Sequence, residues 1–185
     1  MTDEQLIGRV RGGETRLFGE LVRRYQDPVF AMALRLLGSA RDAEDVAQEA
    51  FLRVHRGLEG FKGDAKFSTW LYRITCNLCT DLLRRNRGPG RATLALDETA
   101  EVADSGVSFE QKVLDAEERQ SLRDALEGLS ERYRTLVVLH YYQGLPYQQI
   151  AEVLGMPLKT VETRLYRARR MLRERLEDAR QGGKA

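Results

Sequence analysis

Lys159, Thr163, Tyr166, Arg167 and Arg170 fall on one face of a helix drawn at about 100° per residue. Val161, Leu165, Ala168 and Leu172 share the opposite face. From Leu158 to Leu176 the chain holds seven bases and two acids, a net of +5. A helix lying in the major groove of DNA needs this arrangement. Arg pairs bidentately with guanine, while Thr and Tyr reach methyl groups and phosphates. Just before it, Pro146 to Leu154 reads as a short amphipathic helix with Ile150, Ala151 and Leu154 inward. Gly155-Met156-Pro157 makes the turn between them, where Gly155 can take positive φ and Ala151 is small enough for a close crossing. Charge alone would equally fit a solvated Arg-rich helix with no partner. The turn and the centred polar face favour duplex DNA.

A second set of residues suits single-stranded nucleic acid. Phe61-Lys62-Gly63-Asp64-Ala65-Lys66-Phe67 is a Gly-containing, basic, aromatic loop, followed by Trp70, Tyr72, Arg73 and Asn77. Any base can stack on an aromatic ring, and phosphates seek Lys or Arg. The alternative is that Phe67 and Trp70 are simply core, and for Trp70 core and function stand level. From Arg73 to Arg91 there are five bases and one acid, a net of +4. Upstream, Asp42, Glu44, Asp45, Gln48 and Glu49 crowd the early turns of another helix. Acids there complement the helix dipole. The alternative reading is a docking face for a basic partner surface, and charge alone favours the dipole explanation.

Other chemistries find little support. Cys76-Asn77-Leu78-Cys79 is a CxxC inside a predicted helix, and a four-ligand zinc site needs more. His55 and His140 lack ligand spacing, so no metal or other cofactor is expected. A thiol redox switch is the residual reading of the cysteines. No phosphate-binding Gly loop, Ser nucleophile elbow or paired-carboxylate site is evident, which argues against an enzyme.

The elements that position these residues are helical. The chain has 185 residues, is 42% hydrophobic and 31% charged, and carries only 4 Pro. Its 30 bases nearly balance 28 acids. No apolar run approaches a membrane span, the start is acidic and polar rather than a secretory signal, and two Cys suit a reducing cytoplasm. Phe18, Leu21, Val22 and Tyr25 recur at helical spacing, and Pro28 is expected to open a new helix carrying Val29 to Leu37. Gly38-Ser39 stops it, and Ser39 to Asp42 has capping-box spacing for a helix with Val46, Ala47, Ala50, Phe51 and Val54 inward. The next helix opens near Ser68, burying Trp70 or Leu71, Ile74, Leu78 and Leu82, and ends at Gly88-Pro89-Gly90. From Ala92 to Glu118 the pattern fails, with eight acids against one base, and the first half reads as an acidic tether. Helical pattern returns near Phe109, and Ser130 is expected to cap a further helix. The expectation is an all-α fold of two small helical domains, residues 1–91 and 116–185, joined by a flexible acidic linker over 92–115.

Three stretches together resemble a known family. Asp42-Ala43-Glu44-Asp45-Val46-Ala47-Gln48-Glu49-Ala50-Phe51-Leu52-Arg53-Val54 is similar to the core-polymerase-binding helix of bacterial sigma factors. Phe61 to Asp64, Phe67-Ser68-Thr69-Trp70-Leu71-Tyr72-Arg73-Ile74 and Asn77 are similar to their promoter-melting, minus-ten-reading segment. Leu145 to Gly155, with Thr160-Val161-Glu162-Thr163-Arg164-Leu165-Tyr166-Arg167-Ala168-Arg169, resembles their minus-thirty-five-reading domain. Having only the second and fourth sigma domains, the chain resembles the extracytoplasmic-function (ECF) class.

The resemblance implies roles. Asp42, Asp45, Gln48 and Glu49 would meet the clamp helices of the largest polymerase subunit. Phe61, Lys62, Lys66, Phe67, Trp70, Arg73, Asn77, Arg84 and Arg85 would hold the melted minus-ten strand, with Phe61 to Phe67 capturing a flipped base. Lys159, Thr160, Glu162, Thr163, Arg164, Tyr166, Arg167 and Arg170 would read the minus-thirty-five element. The acidic tether would mimic RNA near the polymerase active site. Core RNA polymerase, duplex and melted promoter DNA and an anti-sigma factor would be the partners, with the chain in the cytoplasm or held at the membrane by that factor. Glu162 departs from the Lys or Arg of many relatives, and an acid can accept from cytosine. Pro157 replaces a common Ser cap. Two rivals are an autonomous helix-turn-helix regulator and an enzyme, such as a nuclease, with a DNA-binding tail.

Overall fold

The structure, a computed structural model, describes residues 1–87 and 116–182. Every regular element among them is helical. The chain divides into two compact units. The first is built on α1 (Asp3–Arg11), α2 (Phe18–Leu37), α3 (Ala40–Gly57) and α4 (Phe67–Arg87). The second is built on α5 (Ala116–Glu127), α6 (Glu131–Val137), α7 (Tyr147–Leu154) and α8 (Leu158–Gly182). The expected acidic linker over 92–115, and the helical pattern expected to return near Phe109, lie outside the described residues.

In the first unit α2 and α3 form a helical hairpin. Gly38 caps α2 in the left-handed region, at φ 72°, where a Cβ would be strained. Ser39 then accepts a hydrogen bond from the Asp42 backbone N–H at 3.3 Å, so its half of the expected capping box forms. Leu21, Val29, Met32, Ala33 and Leu36 of α2 are buried, as are Ala43, Val46, Ala50, Phe51 and Val54 of α3. The expected break at Pro28 does not occur, because α2 runs through it unbroken as a single helix. Proline inside a helix costs about 3 kcal/mol. Burial of Val29, Met32 and Leu36 just beyond it offsets that cost, since each such side chain contributes about 1.5–3 kcal/mol.

Helix α1 was not evident from periodicity. Thr2 and Gln5 close a reciprocal capping box on it, and Leu6, Ile7 and Val10 are buried. Helix α4 starts one residue before Ser68. It buries Phe67, Leu71, Tyr72, Cys76, Leu78 and Cys79, while Trp70, Ile74 and Leu82 remain half-buried.

In the second unit α5 and α6 pack against α8. Ala125, Leu126, Leu129, Val137, Ala168 and Leu172 make one core cluster. Ser130 stands at the N-cap of α6 but its side chain makes no capping bond. Its carbonyl instead accepts from Tyr133 and Arg134 N–H, at 3.0 and 2.9 Å. The chain then makes a π-helical turn over Val138–Tyr142 before entering the helix-turn-helix.

Candidate nucleic-acid and docking interfaces

The acidic face belongs to α3. Its apolar side is fixed against α2, so the remaining side must face outward. Asp45 and Gln48 are exposed, and Asp42 and Glu49 are half-buried. Glu49 holds Arg53 at 2.8 Å, one turn along. Leu52 lies on the same outward face and is 50% exposed. Sequence reasoning passed over it. Its signal was there, because Leu52 lies opposite the Val46, Ala50, Val54 stripe at helical spacing.

The loop before α4 is built on aromatic contacts. Phe61 stacks on Trp70 with centroids 4.9 Å apart and planes at 26°. Phe67 meets Trp70 edge-on at 6.2 Å and Tyr25 at 5.4 Å. Phe67 is 2% exposed, so it is core and cannot stack on a base. The rings of Tyr25, Phe61 and Trp70 enclose it because α4 begins there. Trp70 is half-buried and covers Gly57, where a Cβ would come within 3.2 Å of its Cζ2. Lys62 and Lys66 are exposed. Along α4, Arg73, Asn77 and Arg84 are exposed and fall in one row with Trp70, at helical spacings of three, four and seven residues. Asp81 lies in that row too. Arg85 is exposed but sits about 90° around the helix from it.

Neither cysteine is displayed by this face. Cys76 and Cys79 are 4% and 1% exposed and unbonded to each other. Burial, with Cys79 alongside, pushes the Cys76 thiol far above its ordinary value. The histidines are engaged elsewhere. The His55 ring meets Phe18 edge-on at 4.8 Å. His140 lies against Tyr141 and Tyr147, with Nδ1 3.0 Å from the Leu145 carbonyl oxygen.

The helix-turn-helix is α7 and α8. Gly155 sits at φ 62°, as the tight turn requires. Met156 N–H returns to the Ala151 carbonyl at 3.1 Å. The Pro157 carbonyl accepts from Thr160 and Val161 N–H, so proline serves the start of α8 without a Ser cap. Ile150 and Val153 are the buried residues of α7, whereas Ala151 and Leu154, expected inward, are half-buried. Val161, Leu165, Ala168 and Leu172 are buried, as expected. Lys159, Glu162 and Arg170 are exposed, and Thr160, Thr163, Arg164, Tyr166 and Arg167 half-buried. The Thr163 hydroxyl donates to the Lys159 carbonyl at 2.9 Å, so its oxygen can still accept a hydrogen bond. Arg170 pairs with Glu174 at 3.5 Å. Arg164 lies about 110° around the helix from the centre of this face. Leu158, at the first position of α8, is 38% exposed and was not anticipated.

Comparison with known proteins identifies the family. Residues 21–88 match Sigma-70 region 2, and residues 119–172 match Sigma-70 region 4. The ECF RNA polymerase sigma factor SigW of Bacillus subtilis is 34% identical over 184 residues, covering 96% of this chain and 98% of SigW. The solved structure of CnrH in complex with the cytosolic domain of CnrY superposes with a TM-score of 0.70 at 28% identity, covering 95% of this chain and 97% of CnrH. The sigma factor RpoE of Bartonella quintana, solved with the anti-sigma factor NepR, shares the fold at a TM-score of 0.66 and 23% identity, over 86% of this chain and 96% of RpoE. With both sigma regions matched in order and a curated relative aligned along almost its whole length, the chain belongs to the extracytoplasmic-function class of the sigma-70 family.

Proposed function

We propose that this chain is a promoter-specificity subunit of bacterial RNA polymerase. It binds core polymerase through the outward face of α3, with Asp42, Asp45, Gln48 and Glu49 against a basic surface. It holds the melted minus-ten strand with the 61–66 loop, Trp70 and the Arg73, Asn77, Arg84 row, with Arg85 at the margin. It reads the minus-thirty-five element with the outward face of α8. The domains follow residues 1–91 and 116–185, with 92–115 as the tether. No bond-making step is assigned to the chain itself.

The observation that carries this reading is the presence of all three surfaces on one chain that aligns with SigW along nearly its whole length. An autonomous DNA regulator would use α8 and leave the α3 face and the aromatic loop idle. Control by an anti-sigma factor is supported by CnrH, which was solved with the cytosolic domain of a second protein. No described helix is long and apolar enough to cross a membrane. As a polymerase subunit the chain would work in the cytoplasm, and any hold at the membrane would come from the anti-sigma factor.

The test is a promoter selection. Core polymerase is incubated with the chain and a library of random duplexes, and transcribed templates are sequenced. Two conserved elements separated by a fixed spacer are the expected result. A single element, enriched equally without polymerase, would replace this reading with the autonomous regulator.

A further inference from the structure

Helix α1 lies before residue 21, where the region 2 match begins, yet it touches the start of the minus-ten loop directly and reaches the end of that loop through Tyr25 of α2. At its C-terminal end, Arg11 donates from Nη2 to the Glu59 carbonyl at 2.6 Å and from Nη1 to the Phe61 carbonyl at 3.3 Å. These carbonyls lie where the chain leaves α3 and starts the loop. At its N-terminal end, Asp3 accepts from the Tyr25 hydroxyl and pairs with Arg24. The Tyr25 ring in turn packs edge-on against Phe67, where the loop ends. Arg24 also donates to the Met1 carbonyl at 3.1 Å. The helix is itself seated, since Leu6, Ile7 and Val10 are buried.

Residues 62–66 carry no aromatic side chain, and the three rings at the loop's base are packed on one another. The shape of the loop is therefore set by what holds its two ends. We propose that α1 is a positioning strut for the base-capturing segment 61–66, with Arg11 fixing its start and the Asp3–Tyr25–Phe67 chain fixing the point where it enters α4. Arg11 is a positioning residue, because it acts on the loop backbone and not on DNA. The inference rests on the reading of this loop given under Proposed function.

The experiment uses core polymerase reconstituted with the full chain. The probe is the non-template minus-ten strand of the duplex that the wild-type holoenzyme selects, with copies carrying one abasic site at each position in turn. In wild type, removing the captured base should weaken binding about tenfold, in line with base stacking and pocket contacts. In Arg11→Ala that penalty should shrink to about twofold, because the lost charge-assisted bonds no longer hold the pocket. Affinity for core and melting temperature should match wild type, since Arg11 is exposed. Arg11→Lys keeps charge without the fork and should restore part of the penalty. Tyr25→Phe, which retains the ring contact with Phe67, should shift the same position in the same direction. An unchanged penalty in Arg11→Ala and Tyr25→Phe would overturn the proposal, as would equal weakening at every position. If the wild-type holoenzyme selects no promoter at all, the proposed function itself fails, and this outcome is separate from either of those.

Discussion

Leu52 stands among carboxylates and amides on α3, half in water. A lone exposed leucine needs no explanation. One at the centre of a face read as a docking surface does, because interfaces place apolar anchors inside a polar rim. Leu52→Ala should weaken core binding by about 1–2 kcal/mol, or roughly five- to thirtyfold, with the melting temperature unchanged. A titration of labelled protein with core polymerase reads this directly. A second residue-level prediction concerns Thr69, whose hydroxyl is buried with no hydrogen-bond partner. Thr69→Val removes that orphan at nearly constant volume and should stabilise the fold by about 1 kcal/mol, seen as a higher denaturation midpoint. The cysteines give a third. With the Cys76 thiol pushed up by burial, it stays protonated well above neutral pH and is a poor nucleophile. Native protein at pH 8 should react with a thiol reagent far more slowly than denatured protein, whereas fast native reaction would revive a redox switch. Much of this scale was legible in the sequence, because side-chain chemistry travels with the residue. Phe67 was not. Its type suited stacking, and only the enclosing rings of Tyr25, Phe61 and Trp70 show it is core.

At the scale of elements, helices whose apolar residues repeat without interruption were readable. The buried row Val161, Leu165, Ala168, Leu172 follows from period alone, as does the turn at Gly155. Misreadings arose where a local rule met tertiary packing. Pro28 signals a helix start, and the α2–α3 hairpin overrides that signal. Ser130 holds the N-cap position of α6, as expected, yet its hydroxyl makes no capping bond. Helix α1 went unseen because it is short and Gly8 interrupts a pattern of only three buried residues. The elements also carry a prediction. Gly155→Ala places a Cβ in the left-handed region and should cost about 1–2 kcal/mol. Nothing lies within 4 Å of that Cβ, so the loss is backbone strain alone. Denaturant unfolding of the second unit would show it, and α3-mediated core binding should persist.

At the scale of the molecule, the near-neutral total charge conceals a division of labour. On the proposed function, the acidic face of α3 is assigned to a basic protein surface and the basic faces of α4 and α8 to DNA. Covalent connection of two weak binders raises the effective concentration of the second once the first engages. Promoter affinity of the holoenzyme should therefore fall steeply with salt, because many contacts are to phosphate. Arg167→Ala should reduce minus-thirty-five recognition and spare core binding, while Asp45→Ala with Glu49→Ala should do the reverse. The most direct measurement is gel filtration of the chain with purified bacterial core RNA polymerase at moderate salt. Co-elution of the wild-type chain, lost in the Asp45→Ala, Glu49→Ala double variant and kept in Arg167→Ala, is the predicted result. Folded wild-type protein that elutes apart from core would contradict the assignment of a polymerase-binding specificity subunit.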